Sequence, residues 1–284
     1  MAERAEIFEV GPRDGLQNEK AQIATADKIA LVDLLSAAGF RRIEVASFVS
    51  PKWVPQMADS AGVLAGIRRA RGTSYAALTP NLRGFEAAVN AHADEIAIFA
   101  SASEGFSKAN INCSVAESLD RFRPVAEAAA GIGLPVRGYV SCVTDCPYDG
   151  PTAPAQVARV VQALEMLGCY EVSLGDTIGK GTPERVDAML DAVLAVARPD
   201  KLAGHFHDTG GRARDNIRAS LARGLRVFDA SVAGLGGCPY APGASGNVAT
   251  EAVLDLLVAE GFETGLDRAA IEKAAAFARG LVGA

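Results

Sequence analysis

The sequence predicts an α/β protein built as a single (β/α)8 TIM barrel over residues 1–284, on three observations. Eight short β-rich runs recur along the chain, and apolar patterns with a period near 3.6 separate them, which implies parallel strands joined by helical crossovers. No proline-, glycine- or serine-rich linker and no charge run divides the 284 residues into halves. The first strand exits into Gly11-Pro12-Arg13-Asp14-Gly15, not the G-x-G-x-x-G of an open, doubly wound dinucleotide-binding sheet.

The elements follow in order. The run 7–10 (Ile-Phe-Glu-Val) is the first strand, and the helical pattern 26–38 stops at Gly39, where a left-handed C-cap belongs. Strands 42–46 and 74–78 follow, and helix 82–91 succeeds the second of them. Strand 95–99 (Glu-Ile-Ala-Ile-Phe) precedes helix 115–130; strand 136–141 precedes helix 155–167, which Gly168 ends. Strand 170–174 leads to Thr182-Pro183-Glu184, an N-cap residue, a first-turn proline and a first-turn acid, opening helix 183–196. Strand 202–206 and helix 213–223, ended by Gly224, come next, then strand 227–232, a glycine-rich loop over 234–246 and helix 249–260.

Composition narrows the function. Hydrophobic residues make up 49% and charged residues 22%, so a chain of this size buries a large core, about 75% of its unfolded surface. Its net charge of −6 offers no basic field for a nucleic-acid backbone. No apolar run of about 18 residues spans a membrane, and the amino terminus has no leader pattern, so the expectation is a cytoplasmic protein. Five cysteines, an odd number, read as free thiols. Cys142 and Cys146 lack the second pair that a structural zinc site requires. Gly175-Asp-Thr-Ile-Gly179-Lys180-Gly181 is one residue short of a phosphate-binding loop and lacks its hydroxyl.

In such barrels the carboxyl ends of the strands form the active site. Reading the strand exits in turn gives Arg13 and Asp14, Glu44, Arg137, Asp176, His205 with His207, and Cys238 after the eighth strand. His205-Phe206-His207 is the sharpest of these, because a strand's period of two projects both imidazoles to one side. With Asp14 they form a two-histidine, one-carboxylate set with open positions, to which the Asn247 amide oxygen can add a fourth ligand. Such a mixed, oxygen-rich set suits one Mg2+ or Mn2+ ion, and Co2+ or Zn2+ can also bind it. The plainer readings are a turn-forming Asp14 before Gly15 and an Asn247 that caps a helix over 248–257. Gly234-Leu-Gly-Gly-Cys238-Pro-Tyr-Ala-Pro-Gly243-Ala-Ser-Gly246 reads as a lid with a thiol at its centre, against the plainer reading of a buried inert cysteine.

At these residues the chain resembles the hydroxymethylglutaryl-CoA lyase family of metal-dependent barrels that perform retro-aldol and Claisen-type chemistry. The resemblance runs through Val10-Gly-Pro-Arg-Asp-Gly-Leu-Gln-Asn-Glu19, Ser47-Phe-Val-Ser-Pro-Lys-Trp-Val-Pro-Gln-Met57, Leu78-Thr-Pro-Asn81, Arg137-Gly-Tyr-Val-Ser-Cys142, Ser173-Leu-Gly-Asp-Thr-Ile-Gly179, His205-Phe-His-Asp-Thr209 and the Cys238 loop. It implies cleavage of 3-hydroxy-3-methylglutaryl-CoA to acetyl-CoA and acetoacetate, in leucine catabolism and ketone-body formation. By the same resemblance Asp14, His205, His207 and Asn247 hold the metal, Arg13 contacts a substrate oxygen, and Cys238 is a catalytic thiol. Glu44 and Asp176 match acidic site positions, while Gln17 and Lys20 fall to substrate binding, Lys20 towards the CoA phosphates. Relatives of this kind are dimers, so a homodimer acting on a small acyl-CoA is expected. Gly210-Gly211, where a bulkier residue is expected before the glycine, and Lys180, at a position usually apolar, depart from the pattern. A superfamily transferase condensing acetyl-CoA with a 2-oxo acid, whose carboxyl-terminal extension 284 residues do not accommodate, and a barrel that binds acyl-CoA without turnover are the alternatives.

Overall fold

The computed structural model describes residues 3–236 and 246–283. Its strands are β1 (Glu6–Glu9), β2 (Arg42–Ser47), β3 (Ser74–Leu78), β4 (Glu95–Ser101), β5 (Val136–Ser141), β6 (Asp145–Cys146), β7 (Gly150–Pro151), β8 (Glu171–Asp176), β9 (Leu202–Phe206) and β10 (Val227–Ala230). The pair β6 and β7 forms a small antiparallel hairpin; the other eight close a parallel barrel in the order β1-β10-β9-β8-β5-β4-β3-β2. Around it run α1 (Thr25–Ala37), α2 (Ser60–Gly66), α3 (Leu82–Asn90), α4 (Glu104–Ile111), α5 (Val115–Gly131), α6 (Pro154–Met166), α7 (Pro183–Leu194), α8 (Ala213–Ala222), α9 (Thr250–Ala259) and α10 (Arg268–Val282). This is the TIM barrel that the alternation predicts.

The differences from expectation have local causes. β1 ends before Val10 because the Val10 carbonyl turns to accept the N–H groups of Arg13, Asp14 and Gly15. β10 stops at Ala230 because the chain folds into the turn Val232–Gly234, with Ala233 at φ +58°. The short helices α2 and α4 and the terminal α10 have no counterpart in the sequence reading. The buried stripe of α10 is Ile271, Ala274, Ala275 and Ala278. Thr182 caps α7 as expected, and Gly39, Gly168 and Gly224 take φ near +90° just past their helices (+92°, +91° and +91°).

Apolar residues fill the layer between strands and helices, Leu31, Leu35, Ile43, Val161, Leu190 and Phe206 among them. Each full burial of such a side chain stabilises the fold by roughly 1.5–3 kcal/mol. The barrel lumen is different, because charged groups stand among Phe8, Ala76 and Tyr139. The register places Arg137 beside Glu171, and its guanidinium donates to Glu171 (2.7 Å) and, with two nitrogens, to Asp229 (2.7 and 3.2 Å). Arg42 extends the network to Glu6 (2.6 Å), Glu171 (3.0 Å) and the Tyr170 hydroxyl (2.9 Å). Arg137 lies over the Phe8 ring at 4.1 Å. It is the second residue of its strand, well below the carboxyl-end rim, which corrects its placement among the strand exits.

Candidate active site

The site grows out of the turn Gly11–Gly15 that follows β1. Three successive N–H groups, of Arg13, Asp14 and Gly15, converge on the Val10 carbonyl, and this wide turn lifts two charged side chains onto the barrel rim. Glu9 anchors it from below, its buried carboxyl accepting from Gly11 N (2.8 Å), Val232 N (2.9 Å) and Thr250 Oγ1 (2.6 Å). One carboxyl therefore ties the first-strand exit to the last-strand exit and to the start of α9. Burial pushes it up to about 7, although all three of these bonds pull it down. Gly236, at φ +97°, fits where a Cβ would lie 2.9 Å from Asn247 Nδ2 and 3.1 Å from Gly15 Cα.

Asp14, His205 and His207 come together, one ligand atom of each lying within 4.8 Å of the others. Phe206 turns away into the outer core, as the two-residue period requires. The β9–β10 register sets Asp229 beside His205, and His205 Nδ1 meets Asp229 Oδ2 at 3.1 Å. That bond leaves Nε2 of His205 for the site, in the manner of carboxylate-supported metal histidines. Burial lowers the basicity of His205, but the bond to Asp229 and its charge outweigh it and raise the pKa. His207 is pushed down to about 4, by burial and then by His205, so at neutral pH it is an uncharged base. Its buried Nδ1 has no hydrogen-bond partner among the described residues. Burial alone would push the Asp14 carboxyl up, yet Arg13 and the two imidazoles hold it below the usual carboxylate range. An anionic carboxylate, a neutral imidazole with a free lone pair and a second imidazole fixed from behind fit a divalent cation.

Asn247 is delivered by backbone pairing. It bridges His207 in antiparallel fashion, while Val248 N donates to Phe206 O (3.2 Å). Its Nδ2 donates to Asp14 Oδ2 (2.8 Å) and to Leu235 O (3.3 Å). It does not cap the following helix; α9 begins at Thr250 with Ala249 at the N-cap. Arg13 is buried and forked between Glu44 (2.6 Å) and Asp14 (2.7 Å), while Gln17 Nε2 donates to Asp14 (3.0 Å). Glu44 is mid-strand in β2, below the exit assigned to it, and burial raises its carboxyl above the usual range. Asp176 ends β8 but forms no bond to Arg13; it accepts from Thr144 Oγ1 (2.8 Å) and Gly181 N (2.8 Å). Lys20 is exposed on the following loop, and Cys238 lies outside the described residues.

Sequence reasoning missed Asp229 and Tyr139. Asp229 interrupts the apolar strand Val-Phe-Asp-Ala, a charge in mid-strand that had been the available signal. The Tyr139 ring lies beneath Arg13 (5.7 Å) and edge-on to His205 (6.4 Å), and its hydroxyl has no hydrogen-bond partner among the described residues. The two departures from the motifs also resolve. A Cβ on Gly210 would stand 2.7 Å from Gly179 O, so this mouth admits only glycine there without a shift, and Lys180 is exposed at no burial cost.

The HMGL-like family model matches residues 4–278. The 3-hydroxy-3-isohexenylglutaryl-CoA/hydroxy-methylglutaryl-CoA lyase of Pseudomonas aeruginosa is 60% identical over 271 residues, covering 95% of this chain and 90% of that protein. The mitochondrial hydroxymethylglutaryl-CoA lyase of Bos taurus is 56% identical over 274 residues, covering 96% and 84%. Among solved structures, the HMG-CoA lyase from Brucella melitensis matches with a TM-score of 0.99 and 64% identity over 100% of both chains.

Proposed function

The chain belongs to the HMGL-like family, and from that membership we infer its reaction: it is a carbon–carbon lyase that cleaves 3-hydroxy-3-methylglutaryl-CoA to acetyl-CoA and acetoacetate. The observation that carries the reading on this chain is the convergence of Asp14, His205 and His207 at the barrel rim. These three, with the Asn247 amide as fourth ligand, would hold one Mg2+ or Mn2+ ion. Such a cation supplies Lewis acidity towards the substrate's 3-hydroxyl and carboxylate, worth several kcal/mol by order of magnitude.

The rest falls to side chains. Asp14 or His205 accepts the hydroxyl proton as the bond beside the tertiary alcohol breaks. Arg13, held by Glu44 in a water-poor site, donates to the thioester oxygen as the departing carbon becomes an enolate. Its two carboxylate partners keep the guanidinium charged and aimed, so the structural ion pair and the catalytic role coexist. Cys238, as the neutral thiol, returns a proton to the acetyl-CoA carbon. Gln17 and Lys20 bind substrate, Glu44 and Asp176 support the polar rim, and residues 1–284 act as one catalytic unit. A cytoplasmic homodimer serving leucine breakdown and ketone-body formation completes the reading.

The deciding experiment incubates chelator-treated protein with hydroxymethylglutaryl-CoA and couples acetoacetate to its reduction. Turnover is expected only after Mg2+ or Mn2+ is returned. His205→Ala and His207→Ala should each weaken cation binding in calorimetry, and undiminished affinity in both removes them as ligands. Free CoA released from acetyl-CoA and 2-oxo acids, without acetoacetate formation, would replace cleavage by condensation.

A further inference from the structure

Two cysteines that the lyase chemistry does not use lie in one buried cluster where the chain leaves β5. Cys142 follows the strand directly and holds φ +61°, a left-handed conformation that a side-chain-bearing residue keeps only where its surroundings impose it. Cys146 sits in β6. Both are buried and pack in one cluster with Phe106. Cys146 Sγ accepts from Ser103 Oγ (2.8 Å), Tyr148 N (3.3 Å) and Asp149 N (3.3 Å). Burial pushes the neighbouring Cys142 thiol up. In the hairpin turn just beyond Cys146, Tyr148 and Asp149 are exposed.

We propose that Cys142 and Cys146 form a reversible intrachain disulfide by exchange with a low-molecular-weight disulfide. The Cys146 thiolate attacks one sulfur of the small disulfide, whose S–S bond breaks, and the first small thiolate leaves with the Cys146 proton. Cys142 then gives up its proton and attacks Cys146 Sγ, expelling the second small thiol. Two electrons pass from the protein dithiol to the small disulfide, and both thiol protons end on the released thiols.

The bridge has a target. Thr144 lies between the two cysteines, and its hydroxyl is the donor to Asp176 Oδ1 (2.8 Å). The Cys142 N–H donates to Thr177 Oγ1 (2.8 Å), next to that same aspartate. Closing the bond across Thr144 shifts its hydroxyl from Asp176 and lowers turnover. This effect on turnover rests on the lyase reading, whereas the modification itself does not.

The test incubates the intact protein with oxidised glutathione, quenches with iodoacetamide in denaturant and maps the tryptic digest. Arg137 and Arg159 flank a single peptide, 138–159, that carries both thiols. The expected product is this peptide lacking two hydrogens and carrying no alkyl group, with two alkyl groups restored when dithiothreitol precedes alkylation. Two alkyl groups after oxidation, or one glutathione with one alkyl group, overturns the proposal. Cys146→Ser and Cys142→Ala should each abolish the bridge, and the unmodified protein decides the matter should either variant fail to fold. Turnover should fall with the bridged fraction and return with dithiothreitol, oxidation of Cys238 being scored in the same digest. Bridging with full turnover overturns the Thr144 link, and absent turnover in the reduced protein counts against the lyase reading alone.

Discussion

Two charged clusters occupy the barrel, one above the other, and they are built on opposite terms. In the lower one each guanidinium has its carboxylates: Arg137 with Glu171 and Asp229, Arg42 with Glu6 and Glu171. In the upper one an acid and two imidazoles converge while a buried nitrogen of His207 and the Tyr139 hydroxyl go without partners among the described residues. Charge inside a protein is costly unless paired, so the lower cluster is complete as it stands and the upper one is arranged for something that arrives. Asp229 belongs to both, holding Arg137 from one side and His205 from the other. Burial opposes its ionisation, but Arg137 and His205 hold its carboxyl well below the usual range.

The contrast can be broken by experiment, most sharply at the top. Arg13→Met should lower kcat by about 10^3 or more while cation affinity survives; a loss under about tenfold would reassign Arg13 to structure. Arg137→Met, which leaves Asp229 and Glu171 buried without their cation, should cost roughly 3–5 kcal/mol of unfolding free energy in urea titration. A cost near zero there would erase the distinction between the clusters. Asp229→Asn tests the shared residue, because it loosens His205 and should weaken divalent-ion binding by about 10–100-fold. Unchanged affinity would detach Asp229 from the upper cluster.

The smallest effect concerns Glu9 and pH. Its folded carboxyl titrates near 7 whereas the unfolded one titrates near 4.5, so the native state binds the extra proton between those values. Its contribution to stability is fully present below the unfolded value and is lost as pH rises through the folded one, at up to roughly 1.4 kcal/mol per pH unit. Glu9→Gln should flatten the fall in melting temperature across that window. A slope as steep as that of the unaltered chain would place the titration elsewhere.

Much of this was legible before any coordinates. His205-x-His207 announces a shared face through strand period alone, and Asp14 through its place at a strand exit. Glu44 and Arg137 were misplaced along their strands because a run of apolar residues states that a strand exists but not where along it the rim falls. Asp229 escaped because its meaning is its neighbour, and parallel register is a property of two distant strands. The helices α2 and α4 are too short for their period to stand out, at 7 and 8 residues.

Asp14 and Asn247 touch across 233 positions of sequence, where the first and last staves meet. A chain emerging from the ribosome therefore has no centre to fill until Asn247 is out, and closing so long a loop costs entropy before any contact repays it. Nascent or truncated chains should be inert towards metal and substrate alike. Activity arrives at the seam, as the final event of assembly.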